Sequence, residues 1–367
     1  MICRVPGALF EFLAQKSAIS SARTDSSQLF FLFLKKFLFF ILNISLFDGL
    51  FVISLILLKS KSMKKTYHLC LSSKGEVLFR SREDVIRGIN CLCIGAYKTR
   101  AILLAYAFMS NHVHIIARTD DPQKLMMKFR YSYNKYFNAK YDRIGRIGED
   151  NFFKIELVGL HHLLTAIAYV LRNPVHHGIC ATPFGYEFSS IRGVFKKEFG
   201  WQSPENTLPR KSAYRFLPSR SVLPEKYQMN CEGMILPETV IDIQDVEHQF
   251  STARSFLYYM NRLSGEEWVR EQMQDHTSLP AITLESIEEG VRLHDMNTML
   301  RNEHGRANYT TITDIILCHE IDNTLLQSYG VKSVYQLRIG QRENMLELIK
   351  RKYCVPTPLA KRCLAIP

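Results

Sequence analysis

The sequence predicts an α+β fold: a split β-α-β (ferredoxin-like) antiparallel sheet with helices on one face, followed by an all-helical C-terminal region. Three observations predict it. From Tyr67 to Arg172 the apolar pattern alternates between period two and period 3.6, in the order β-α-β-β-α-β-α. The second and third strands are separated by only Ser110-Asn111, which makes them a hairpin. After a Pro- and Ser-rich stretch, the apolar residues return at helical spacing alone.

Tyr67 to Leu71 reads as the first strand, and Ser73-Lys74-Gly75-Glu76 as a turn. Val85, Ile86, Ile89 and Cys93 line one face of a helix over 81–94, with Ser81 as its N-cap. Ala101–Met109 and His112–Arg118 form the hairpin strands. Asp121-Pro122 opens the second helix, with proline in its first turn. That helix runs toward Lys140 and carries Leu125, Met126, Phe129, Tyr133, Tyr136 and Phe137 at helical spacing. Gly145 to Asp150 is a loop, and Phe153 to Val158 is the fourth strand. Leu160 to Arg172 is a helix that should end near Asn173-Pro174. Residues 246–262, 287–300 and 343–352 also look helical. Thr357 is placed to cap a last helix with Pro358 at its first position.

These elements divide the 367 residues into an apolar leader over 1–62, a core domain over 63–200, a linker over 201–238 and a helical region over 239–367. Residues 340–366 have the outline of a helix-turn-helix, although an ordinary helical pair reads the same way. Charge follows the division. Residues 63–200 hold 21 Lys and Arg against 11 Asp and Glu, a net of +10 out of +12 for the chain. A basic field gathered in one domain points to a polyanionic partner, nucleic acid or an anionic membrane face. The nine cysteines are scattered and include no Cys-x-x-Cys pair, so they read as reduced thiols in a cytoplasmic protein.

In the leader, Phe37 to Leu58 is 22 residues long and long enough to span a bilayer. Asp48 would cost roughly 3 kcal/mol at a helix centre, against about 0.3–0.6 kcal/mol returned by each apolar residue. The segment can thus be a membrane anchor. Its Phe-, Leu-, Ile-, Lys- and Asn-rich composition is also that of translated AT-rich non-coding DNA. A start at Met63, just before the first strand, is the favoured reading.

The informative string is Ser110-Asn111-His112-Val113-His114. Residues two apart on a strand share a face, so His112 and His114 project together while Val113 faces the core. Two imidazoles on a rigid strand form half of a divalent-metal site. They read equally as two histidines without a ligand. The helix containing Tyr169 and Asn173 bears on this choice. Four residues apart, the two side chains share one face. If that face covers the histidine strand, Asn173 can offer an oxygen as third ligand and Tyr169 stands beside a bound phosphate. Alone, the pair also reads as a packed tyrosine and a helix-ending asparagine.

Taken together, His112-Val113-His114 on a strand and Tyr169-Val170-Leu171-Arg172-Asn173-Pro174-Val175 on a later helix resemble the single-tyrosine HUH transposases of insertion sequences. The REP-associated tyrosine transposases are the nearest branch. The resemblance spans roughly Lys65 to Val194. It implies cleavage and rejoining of single-stranded or hairpin DNA through a 5′-phosphotyrosine, with Tyr169 as nucleophile. His112, His114 and Asn173 would then be ligands to Mg²⁺ or Mn²⁺. Self-association into a homodimer stays open.

Tyr131, Tyr133, Tyr136 and Tyr141 compete with Tyr169 but fit an apolar core stripe better. Lys98, Arg100, Arg143, Arg146 and Arg172 are candidate DNA contacts, because cations give sequence-blind phosphate affinity. Three other readings remain: a non-catalytic hairpin-binding protein, a membrane-anchored protein, and a His-x-His hydrolase. The last lacks the further His and Asp ligands that such sites use.

Overall fold

The computed structural model describes residues 64–261, apart from 74, 178, 181 and 203–205, and residues 312–367. The apolar segment over 37–58 and the helix expected over 287–300 lie outside the described residues. Among the described residues, no helix is long and apolar enough to cross a membrane.

The expected antiparallel sheet with helices is present. Strand β1 spans Lys65–Ser72, helix α1 Arg82–Thr99, strand β2 Ile102–Phe108, strand β3 His112–Thr119, helix α2 Pro122–Tyr141, strand β4 Phe153–Glu156 and helix α3 Leu160–His176. The strand order is β2-β3-β1-β4, and every neighbouring pair is antiparallel. This is the order that a split β-α-β unit produces.

Strand alternation then sorts the two faces. Phe108 pairs with Val113 and Tyr106 with Ile115, so all four point the same way. Their face is covered by α1 and α2. The Phe108 ring lies 5.9 Å from Phe129 of α2 and 5.5 Å from Phe79. Gly88 lets α1 approach this closely, since a β-carbon there would stand 2.5 Å from the Phe79 ring. Helix α1 begins at Ser81 with a capping box to Asp84. The buried Asp84 carboxylate also accepts from Tyr136 and Tyr141 hydroxyls at 2.9 and 2.7 Å and from Lys140 at 2.7 Å, which ties α1 to α2.

The opposite face carries His112 and His114, and helix α3 lies over it. Beside these histidines, β2 presents Ala105 and Ala107, small residues that leave room for a helix to come close. Helix α3 runs past Pro174 to His176 instead of stopping before the proline. A proline near the last turn forfeits one backbone bond, and the His177 amide still reaches the Asn173 carbonyl at 3.1 Å.

The stretch 201–238 is not a free linker. Where it is described, Leu217, Leu223, Tyr227, Met229 and Ile235 are buried. Asn90 of α1 donates to the carbonyls of Phe216 and Gly233, and Arg87 to those of Leu217 and Arg215. Such segments look polar in sequence because the buried residues follow no regular period. Beyond it, the helix expected over 246–262 is two helices, α4 (Ile243–Phe250) and α5 (Ala253–Asn261). They are broken at Ser251, whose φ is 64°.

The C-terminal helices are α6 (Asp314–Glu320), α7 (Ile339–Tyr353) and α8 (Thr357–Cys363). They share a core that includes Leu317, Ile321, Val334, Ile349 and Leu359. Helix α7 starts four residues before Glu343. The N-cap of α8 is Pro356, and Thr357 is its first residue rather than its cap. The fully buried Arg80 docks this region by donating to both oxygens of Asp322, at 3.1 and 2.7 Å, and to the Cys363 carbonyl at 2.7 Å.

Candidate active site

Four residues singled out from sequence meet on the sheet face under α3. The Nε2 of His112 is 2.8 Å from Oδ1 of Asn173. The His114 ring centroid stands 4.9 Å from that of His112 and 5.2 Å from that of Tyr169. The 3.6-residue period of α3 places Tyr169 and Asn173 one turn apart on the same side, facing two strand residues of matching spacing. Both imidazoles are 0% exposed, Asn173 is 1% and Tyr169 is 4%.

Further histidines complete the cluster. His68 of β1 lies with its Nε2 3.0 Å from Nδ1 of His114, and the two rings stack at 5.1 Å. His177, just past α3, lies 5.4 Å from the His112 ring. Both of its ring nitrogens are buried and lack a hydrogen-bond partner among the described residues. On its other side, His112 meets the Asn111 side chain, with Nδ1 2.9 Å from Oδ1. The turn itself is held by the C-terminal region. The hydroxyl of Ser110 donates to Asp314 at 2.5 Å, and Asp314 takes two bonds of 2.8 Å from Arg362.

Burial keeps these rings neutral. It pushes His112 down from its ordinary 6.5 to about 4, against the opposing Asn173 hydrogen bond and with help from the Arg362 charge. It pushes His68 down to about 3, and His114 and His177 fall well below their ordinary value for the same first reason. Neutral imidazole is the form that ligates metals. Acid stability follows from the same shifts. An unfolded chain takes up protons below pH 6.5 that these buried rings refuse. Stability held above pH 6.5 should therefore be lost as pH falls toward about 4. Urea midpoints of the metal-free protein are expected to fall between pH 7 and pH 5, whereas a flat profile would contradict four buried neutral rings.

Does this donor set suit a divalent cation? Among the described residues, no group of three or more His, Cys, Asp and Glu is arranged to hold a metal. The set here is two imidazoles and a carboxamide. Its geometry fits. With Nδ1 of His112 donating to Asn111, Nε2 carries a lone pair directed at the Asn173 oxygen. Two acceptors 2.8 Å apart repel unless a cation lies between them or the amide is turned. Two ligands at right angles on a cation with bonds of about 2.1 Å stand about 3.0 Å apart. In addition, Nε2 of His114 and Nδ2 of Asn173 are buried and lack a partner among the described residues. Imidazole nitrogens suit Mn²⁺ better than Mg²⁺, which prefers an all-oxygen shell.

No family model and no curated protein matches the chain. Among solved structures, a REP-associated tyrosine transposase bound to a REP hairpin is similar at 13% identity and a TM-score of 0.31. That match covers 44% of this chain and 94% of the other. It assigns no role to any residue here, so the reading of the site rests on its geometry.

Four of the five basic candidates are placed by contacts elsewhere in the fold. Lys98 bonds Ser221 at 2.7 Å near the end of α1, and Arg100 is the left-handed C-cap of that helix. Arg143 is committed to the fold through a 2.6 Å ion pair with Glu76. Arg146 is exposed and 3.8 Å from Asp150. Arg172 alone shares the tyrosine helix. Of the competing tyrosines, Tyr133 and Tyr141 are buried in the core stripe, Tyr136 is half-buried, and Tyr131 is exposed instead.

Sequence reading missed His68, Asn111, His177, Asp314 and Arg362. His68 could have been found: it lies two residues before Cys70, which pairs with His114, and so shares the histidine face. The other four were not legible, because no local pattern ties a loop residue or a distant C-terminal helix to the histidine strand.

Proposed function

We propose that the chain is a metal-dependent enzyme that cuts and rejoins single-stranded or hairpin DNA through a covalent tyrosine intermediate. The observation that carries this reading is the convergence of His112, His114, Asn173 and Tyr169 from two distant parts of the sequence. The excess of Lys and Arg over residues 63–200 supplies a field that attracts a polyanion.

His112, His114 and Asn173 would hold the cation, Mg²⁺ or more favourably Mn²⁺. When bound, it supplies Lewis-acid stabilisation of charge on a phosphoryl oxygen. The Tyr169 oxygen attacks phosphorus, forming a Tyr–O–P bond as the P–O3′ bond breaks. The phenol gives up its proton and the departing 3′ oxygen gains one, so the step balances. The product is a 5′-phosphotyrosine and a free 3′-hydroxyl, and attack by another 3′-hydroxyl reverses it. A phenol with an ordinary pKa of about 10 is a weak nucleophile at neutral pH, so a cation held by these residues would have to supply much of the catalysis. Helix α3 supports this reading, since Tyr169 and Asn173 lie one turn apart on it. All four side chains are buried, so DNA reaches Tyr169 only after part of the cover opens.

The test is incubation of the full chain with labelled hairpin DNA and Mn²⁺, followed by denaturing electrophoresis and peptide mapping. The expected result is a covalent protein–DNA species at Tyr169 that needs the cation. DNA binding without any adduct would favour the non-catalytic hairpin-binding protein.

A further inference from the structure

We propose that His68 is a positioning residue that holds His114 in the tautomer able to bind a cation; this rests on the proposed metal-dependent reading of the site. Nε2 of His68 and Nδ1 of His114 are 3.0 Å apart, both rings are buried, and they stack with an interplanar angle of 29°. Packing on three sides restrains the His68 ring. The Phe153 ring lies 5.7 Å away edge-on, the Tyr169 ring lies 5.9 Å away, and His114 completes the contact.

One proton sits between these two nitrogens, and there are two ways to place it. In the first, Nδ1–H of His114 donates to Nε2 of His68, and Nε2 of His114 bears a lone pair toward the site. In the second, His68 donates, and Nε2 of His114 carries a hydrogen that blocks coordination. A cation at Nε2 of His114 is compatible only with the first. His68 therefore does for His114 what Asn111 does for His112, 2.9 Å from the far nitrogen of that ring. Each imidazole has an outer partner that accepts its Nδ1–H and leaves Nε2 bare. Such outer partners orient the ring and raise its basicity, and their loss typically weakens metal binding about 10- to 100-fold.

The strand register produces the arrangement. Cys70 pairs with His114 and His68 with Ile116, so His68 lies diagonally across from His114 on the same face. A leucine in that position would fill the space and accept no hydrogen bond.

The test combines two readouts on the full chain. Histidine ¹⁵N NMR of the metal-free protein reports the His114 tautomer without reference to activity, and Mn²⁺ titration followed by EPR reports affinity. The expected results are Nδ1-protonated His114 in the wild type, a mixed or Nε2-protonated ring in His68→Leu, and roughly 10- to 100-fold weaker Mn²⁺ binding in that variant. His68→Gln keeps an acceptor oxygen and should recover most of the affinity and the tautomer. If His68→Leu is poorly folded, His68→Gln against His68→Met decides the same point. An unchanged tautomer and affinity in a folded variant without an acceptor would overturn the role of His68. A wild type that binds no Mn²⁺ while its His114 tautomer still depends on His68 would overturn the metal reading alone.

Discussion

Replacing Tyr169 by phenylalanine is expected to abolish covalent capture of hairpin DNA while leaving Mn²⁺ binding and the fold in place. The change removes one oxygen atom from a side chain whose ring is packed against His114 and His68. The ring, and hence the packing, is retained, so the cost to stability should stay at about 1 kcal/mol, the net worth of one hydrogen bond. On the proposed mechanism the cost to the reaction is total, since no other atom would form the bond to phosphorus. Tyr136→Phe is the matched control. Its hydroxyl donates to Asp84 at 2.9 Å on the opposite side of the sheet, and its loss should affect stability alone. Adduct formation by Tyr169→Phe at the wild-type level would move the nucleophile elsewhere. So would loss of the adduct in a well-folded Tyr136→Phe protein.

The second large effect concerns the turn that leads into β3. Asp314→Ala is expected to destabilise the protein by about 3–5 kcal/mol, the usual result of removing one partner of a buried ion pair. Asp314 and Arg362 are almost entirely buried, with side chains 4% and 7% exposed, and are joined by two bonds of 2.8 Å. Without the carboxylate, the buried guanidinium loses both of these charge-assisted bonds. Ser110 loses its acceptor in the same step. The thermal midpoint should fall by roughly 10 °C for a chain of this size. The double variant Asp314→Ala, Arg362→Met should regain much of the loss, because apolar side chains often replace a buried ion pair without penalty. A midpoint within about 2 °C of the wild type for Asp314→Ala alone would show that the pair is far more hydrated than its burial indicates.

The same pair bears on the C-terminal region. A helix-turn-helix that reads DNA presents basic side chains outward from its second helix. Here Arg362 of α8 is turned inward to Asp314, and the region's other strong contacts, through Arg80 and Asp322, also face the sheet domain. The two-helix outline was visible in the sequence, but its orientation was not. Lys361 and Arg362 are neighbours in sequence but differ in the fold, because successive helix residues point about 100° apart, one to a half-exposed face and the next to a buried one.

Period-two and period-3.6 patterns were enough to place all four strands and the first three helices to within a few residues, since burial of one face of each element imposes those periods directly. The same rule put His112 with His114, and Tyr169 with Asn173, because each pair lies within a single element. What no local period could settle was the meeting of the two pairs. That depended on α3 crossing the sheet face opposite α1 and α2, over the small side chains of Ala105 and Ala107. It depended also on strand pairing, which brought His68 beside His114 although 46 positions separate them. The clamp of Asp314 on Ser110 spans 204 positions and leaves no trace in either neighbourhood. The sequence by itself determined the elements and which side chains share a face within each. The tertiary structure alone decided which faces meet, because that choice is made by long-range packing and by the satisfaction of buried polar groups.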